Sequence, residues 1–141
     1  MTLPPRISFV TLACKDMARM TRFYRQFGWP EAPSSEPDHV VFQCENGVVL
    51  GMFAASNYEP SVGAPADGFR GYTLAVNVED FDAVERAHAT VATFDDVAEM
   101  SEPRRAFWGG GFSFRDPEGN IWDVAWADGS RIDDRGGLIF P

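Results

Sequence analysis

A strand-and-helix unit occurs twice in this chain, and such a repeat calls for two equivalent sheets covered by two equivalent helices. The segment from Ile7 to Cys14 is short and apolar and runs into Lys15 and Asp16, the pattern of a strand ending at a helix cap. Beyond Asp16, the residues Met17, Met20, Phe23, Tyr24 and Phe27 recur on one helical face. Arg19, Arg22 and Arg25 take the other, and Gly28 supplies the stop. The same order returns with a strand from Thr73 to Val78, a cap at Glu79 and Asp80, and Phe81, Val84, Ala87 and Val91 on the apolar side of a helix. Asp82 with Glu85 offers a capping box as an alternative start for that helix. Laying Asp16 on Asp80 sets Leu12 on Val76 and Met17 on Phe81.

A second match follows in the same order: Phe42 to Gly51 lies on Phe114 to Asp123 without a gap, placing Gly47 on Gly119. Each stretch reads as a hairpin. The second turn, Asp116-Pro117-Glu118-Gly119-Asn120, has proline to preset φ and glycine for the positive-φ position, while the first keeps Asn46-Gly47. Either match alone is common between unrelated strand-helix units; two in one order make a repeat. Module one then spans about 6–54, a linker rich in Pro and Gly about 55–70, module two about 71–127, and a tail 128–141. These modules are expected to form one domain, with the linker able to close over what the sheets enclose.

Composition narrows the function. A net charge of -9, from 21 acidic against 12 basic residues, would repel a phosphate backbone, so nucleic acid is not an expected partner. The cysteines Cys14 and Cys44 lack C-x-x-C spacing and suit a reducing compartment as two buried thiols. No apolar run reaches the ~18 residues that a membrane span requires. Pro4, Pro5 and Arg6 interrupt the position of a signal peptide. A soluble, cytoplasmic protein without a membrane partner is expected.

The paired modules, with Val10 to Met17, Phe23-Tyr24, Phe27-Gly28-Trp29 and Phe112 to Asp123 as the carrying residues, resemble the vicinal-oxygen-chelate superfamily. That superfamily includes glyoxalase I, extradiol dioxygenases and bleomycin-resistance proteins. The resemblance implies an α+β fold of two βαβββ modules, their sheets forming an incomplete barrel around a cup with the helices outside. It also implies a homodimer. Strand parity agrees: Val10 and Leu12 would pack on the helix, leaving Phe9, Thr11 and Ala13 for the cup, and Leu74, Val76 and Val78 would leave Thr73, Ala75 and Asn77.

In metal-dependent members a His, Gln or Glu stands seven residues before each capping Asp, and a carboxylate seven residues after the Asp of the turn. On this chain the four ligand positions fall on Phe9, Thr73, Asp123 and, through the repeat, Gly51. Only Asp123 ligates a divalent metal well, whereas such an ion normally takes three or more protein donors. No metal or other cofactor is therefore expected. His88 is expected near the polar side of its helix, facing solvent, and His39 at the start of a strand has no readable direction.

The expected ligand-binding cup comprises Phe9, Thr11, Gly51, Thr73, Asn77, Trp108 and Asp123. Trp108 enters it because it leads into Gly109, Gly110 and Gly111, read as a flexible rim; most other aromatics, Phe107, Phe112, Phe114, Trp122 and Trp126 among them, are expected in the core. Asp123 is the candidate catalytic residue, a general base or the anchor of a cationic or hydroxylated ligand, with Arg115 and Asn77 as candidate neighbours. Two functions lead, with a purely structural or interaction module, its cup filled by its own side chains, as a third. One is a metal-free protein that binds a small organic molecule; the other is a lyase or isomerase of glyoxalase type, using a nonstandard metal site or Asp123 as base. The apolar residues Leu138, Ile139 and Phe140 offer a surface for a second subunit, though the tail's own role is not readable.

Overall fold

Two aspartates start the two helices, as the sequence predicts. The computed structural model describes residues 3–57 and 65–141. Strand β1 (Phe9–Cys14) leads to helix α1 (Met17–Arg25), where the Asp16 carboxylate accepts the Arg19 N–H at 3.1 Å. Strand β4 (Leu74–Asn77) leads to helix α2 (Phe81–Val91), where Asp80 accepts the Ala83 N–H at 2.7 Å. Each carboxylate satisfies a backbone donor left without an intrahelical acceptor. Asp80 is thus the cap, not Asp82. Gly28 ends α1 with a positive φ of 72°, its N–H reaching the Arg25 carbonyl at 3.2 Å.

The chain divides into two compact units between Pro65 and Ala66, inside the segment read as the linker. In the first, β2 (His39–Gln43) and β3 (Val49–Ala54) join β1 in the order β1-β3-β2, with β1 parallel and β2 antiparallel to β3. In the second, β5 (Glu99–Met100), β6 (Arg104–Ala106), β7 (Gly109–Arg115) and β8 (Ile121–Ala127) join β4 in the order β4-β8-β7-β5, and β6 also pairs with β7. None of the sheets formed by the described residues closes into a barrel.

The register carries the repeat residue by residue. Thr11 pairs with Gly51 and Ala75 with Asp123 in the parallel ladders, while Val41 faces Gly51 and Ser113 faces Asp123 in the antiparallel ones. The hairpin turns agree bond by bond. The Cys44 N–H donates to the Val48 carbonyl at 2.9 Å and the Asp116 N–H to the Asn120 carbonyl at 3.0 Å. Gly47 and Gly119, at φ 90° and 87°, donate to Cys44 and Asp116. Both matches made from sequence therefore hold in the fold.

The expected βαβββ order is frayed at one strand in each unit. In the first, the segment before β2 makes only isolated bridges, Glu31 with Phe42 and Glu36 with His39. Pro30, Pro33 and Pro37 lack the N–H groups that a continuous ladder needs. In the second unit the corresponding strand is split into β5 and β6, with Pro103 between them.

Alternation then sorts the side chains as predicted. In the first unit Leu12, Cys14, Val40, Phe42, Leu50 and Met52 are buried, as are Met20, Phe23 and Tyr24 of α1. In the second, Phe112, Phe114, Trp122 and Val124 are buried with Val84 and Val91 of α2. Phe114 stacks between Phe112 and Trp122 with centroids 6.2 and 6.3 Å apart. Removing such a side chain from water contributes about 1.5–3 kcal/mol, so these layers hold helix to sheet. Cys14 is buried and Cys44 partly so, both as free thiols. Burial and the neighbouring Glu45 push the Cys44 thiol up from its ordinary pKa.

The Asp-Pro-x-Gly turn is fixed by a carboxylate with no solvent exposure. Asp116 accepts the N–H groups of Glu118 and Asn120 and the Asn120 side-chain amide at 2.7–2.9 Å. Arg70 ties the end of the linker to that turn, donating to Asn120 Oδ1, the Glu118 carbonyl and the Ala66 carbonyl. Residues 58–64 of the linker lie outside the described residues, and so does any closure by them. The tail forms a small hairpin of β9 (Arg131–Ile132) and β10 (Leu138–Ile139), with the Asp133 carboxylate accepting from Gly137 and Arg135. Those bonds, Gly137's first, hold the Asp133 pKa below the ordinary value.

Replacing Asp80 by Ala is expected to cost about 1 kcal/mol. Asp116→Ala is expected to cost about 2–3 kcal/mol, since it strands buried donors of the turn. Urea unfolding followed by circular dichroism measures both, and an equal, negligible loss would contradict these roles.

Candidate functional site

On the side of the second sheet away from its buried aromatics, β4, β7 and β8 present Ala75, Asn77, Gly111, Ser113, Asp123 and Ala125. They line a cavity of about 730 Å³, walled further by Ser101, Glu102, Arg104 and Trp108. Asp123, at the centre of this face, has no hydrogen-bond or ion-pair partner among the described residues. Its neighbours are otherwise engaged. Arg115 donates to Glu99 at 2.9 Å and to the Gly119 carbonyl at 3.3 Å, and Asn77 donates its amide to the Ala125 carbonyl at 3.2 Å. Neither Arg115 nor Asn77 neutralises Asp123. Asp123 also borders a second, smaller concavity of about 240 Å³ with Glu99, Arg115 and Ile121.

Of the predicted cup residues, Asn77, Trp108 and Asp123 therefore share one cavity. Thr73 is exposed just before β4 and does not line it. Phe9, Thr11 and Gly51 come together in the first unit on the face away from Leu12. There a Cβ on Gly51 would overlap the edge of the Phe9 ring, so the ring fills the space of the missing side chain. His39 lies on that same face, opposite Phe53 in register, its ring stacked on Phe53 at 3.8 Å. Its Nε2 is buried without a partner among the described residues.

Three expectations need correction. Gly109, Gly110 and Gly111 are not a flexible rim but the start of β7, hydrogen-bonded to both β6 and β8. A Cβ there would strike backbone, on Gly109 the Trp126 carbonyl and on Gly111 the Val124 carbonyl at 2.5 Å, so the glycines serve close strand approach. His88 does not face solvent; its ring meets the edge of Phe112 at 5.0 Å, and its Nε2 lies 3.8 Å from Glu102. Phe107 is not core but fully exposed at the β6–β7 turn, beside the half-exposed Trp108. A two-residue turn between paired strands leaves its first side chain no neighbour to pack on.

Sequence reasoning overlooked Ser101, Glu102, Arg104 and Ser113. Ser113 was within reach, because Gly111, Ser113 and Arg115 alternate with Phe112 and Phe114 and so share the face of Asp123. Ser101 and Ser113 stand side by side, the Ser113 N–H donating to the Ser101 hydroxyl at 2.9 Å. The ends of β5 and β6 were not readable, so Ser101, Glu102 and Arg104 were not.

The superfamily's metal positions offer a poor donor set. Phe9 and Gly51 supply no side-chain donor, and the Phe9 ring takes up the room where a side chain at 51 would project. Among the described residues no three or more His, Cys, Asp or Glu groups gather as a metal site would require.

Paired strand-helix units with this register and this Asp-Pro-x-Gly turn define a class, and the comparisons agree. The chain belongs to the glyoxalase/bleomycin resistance protein/dioxygenase superfamily, whose model matches residues 6–124. It is similar to a glyoxalase-related enzyme from Fulvimarina pelagi, at 25% identity over 96% of this chain and 98% of that one, with a TM-score of 0.75. A glyoxalase/bleomycin resistance protein/dioxygenase from Nocardioides is similar at 22% identity over 95% and 91% of the chains, with a TM-score of 0.73. A lactoylglutathione lyase from Agrobacterium tumefaciens is similar at 22% identity over 89% and 96%, with a TM-score of 0.66. Among curated proteins none matches the chain. No helix among the described residues is long and apolar enough to cross a membrane.

Gly109→Ala is expected to cost about 3 kcal/mol or more, since it meets backbone at a φ of 148°. Gly51→Ala meets only the swinging edge of a ring and is expected to cost about 1 kcal/mol, most of it removed in the Phe9→Ala background. A thermal and chemical denaturation cycle over these variants checks the contrast; additive Phe9 and Gly51 effects would refute the contact.

Proposed function

We propose that the chain binds a small organic molecule in the cavity of its second unit, without a metal, and that Asp123 anchors the ligand's cationic or hydroxylated group. The observation carrying this reading is the carboxylate of Asp123, unpartnered among the described residues on the face of a cavity of about 730 Å³. That volume suits a small-molecule ligand. A carboxylate without a protein partner keeps its acceptor positions available for a charge-assisted bond to a ligand. Trp108 and the methyl groups of Ala75 and Ala125 supply the apolar contact for a flat molecule. The closed space at Gly51 and the donor-poor set at Phe9 and Thr73 support binding by contact rather than by chelation.

A catalytic variant of this reading rests on the same group. An unpaired carboxylate beside the Ser113 and Ser101 hydroxyls can take a proton from a bound substrate as a general base, in a lyase or isomerase reaction of glyoxalase type. Calorimetry and thermal shift against a panel of flat cationic and neutral compounds test both readings. Binding is expected to fall about tenfold or more in Asp123→Asn, in line with loss of a charge-assisted contact. Silence across the panel, or equal binding by the variant, would sink the proposal; turnover of a bound compound lost in Asp123→Asn would favour the enzyme.

For partners, we propose a homodimer in the cytoplasm. Leu138, Ile139 and Phe140 are 38%, 41% and 70% exposed on the tail hairpin and give the apolar contact surface. Ile139→Asp is expected to shift the chain toward monomer in sedimentation velocity; a monomeric parent chain would dismiss the interface.

A further inference from the structure

A second groove lies in the first unit, between α1 and the proline-rich segment that leads into β2. It encloses about 410 Å³, and its floor combines the buried Val40 with Thr21 of α1. Thr21 is only 8% exposed, and its hydroxyl has no hydrogen-bond partner among the described residues. The hydroxyl itself opens on the groove, where water or a ligand can bond to it.

The walls of the groove carry charge of both signs. Arg25 is already satisfied, donating twice to Glu31 at 2.9 and 3.0 Å, and that pairing holds the Glu31 carboxyl below its ordinary range. Arg22, on the same face of the helix one turn away, has no ion-pair partner among the described residues, and neither has Glu36 on the opposite wall. Arg22 and Glu36 do not pair with each other. The groove thus sets the exposed Arg22 guanidinium and Glu36 carboxylate across a floor that bears one hydroxyl open to a ligand.

We propose that this groove binds a small zwitterion of the free α-amino acid class with a branched apolar side chain. Its carboxylate meets Arg22 and the Thr21 hydroxyl, its ammonium meets Glu36, and its side chain covers Val40 and Pro37. The guanidinium fork and a hydroxyl donor match a carboxylate, and the carboxylate opposite matches an ammonium. A simple anion would leave Glu36 facing it without compensation, and a simple cation would do the same with Arg22. This site is separate from the Asp123 cavity and does not depend on its function.

The test is a titration of the ¹⁵N-labelled full chain with L-leucine, followed by amide shifts. Saturable shifts confined to residues 18–25 and 31–40 are expected. Leucine methyl ester, which lacks the carboxylate, and 4-methylpentanoate, which lacks the ammonium, should each bind about fivefold or more weakly. Arg22→Gln, Glu36→Gln and the isosteric Thr21→Val should weaken L-leucine likewise, and Asp123→Asn should leave its binding unchanged. Absence of saturable shifts in the groove overturns the proposal. So does equal binding of L-leucine and its two analogues, which needs no variant to fold. A response abolished by Asp123→Asn would assign the binding to the other cavity.

Discussion

The parallel pairing of the first strand of each main sheet with the last strand of that sheet, β1 with β3 and β4 with β8, is the constraint on which the rest depends. A parallel pair cannot be closed by a tight turn, so the chain must cross over through a helix and return by a hairpin. The crossover leaves α1 and α2 on one face of their sheets and frees the other face for a site. The same pairing decides which side chains are neighbours there. Gly51 stands between Thr11 and Val41, and Asp123 stands between Ala75 and Ser113, so what lines each face follows from register alone.

Two short-range devices hold that register. Capping aspartates fix where each helix begins, and glycines at positive φ fix where each hairpin reverses. The second hairpin is the stiffer one, because Asp116 is buried and gathers three donors from two residues, with Arg70 clamping the outside of the turn. It is also the hairpin that delivers Asp123. A site residue three positions beyond so rigid a turn has little freedom to drift, which suits a group that must meet a ligand in one geometry.

Much of this architecture was legible because the signals were local and occurred twice. The caps, the apolar faces of the helices, the two turns and the strand parity all depend on residues within a few positions of one another, and the repeat checked each against its copy. Asp123 and Asn77 were reached in that way, whereas Trp108 was reached through a glycine run whose reading as a flexible rim did not hold. What escaped depended on contacts distant in sequence. Gly109 to Gly111 look like a loop until Trp126 and Val124 are seen pressing their carbonyls against them. His88 looks solvated until Phe112 lies beside it. The split of β5 from β6 at Pro103 hid Ser101, Glu102 and Arg104, since strands of two or three residues leave no period to read.

The Phe9 ring lying over Gly51 has a further consequence for how the two halves can diverge. At one of two equivalent positions a glycine leaves its space to a neighbour's ring; at the other stands a carboxylate. A carboxylate introduced at 51 must first evict that ring, whereas substitutions at 123 meet an open cavity. Duplication has thus produced an uneven pair: one half resists change at this position through packing, and the other stays free to be retuned to a new ligand without disturbing its own core.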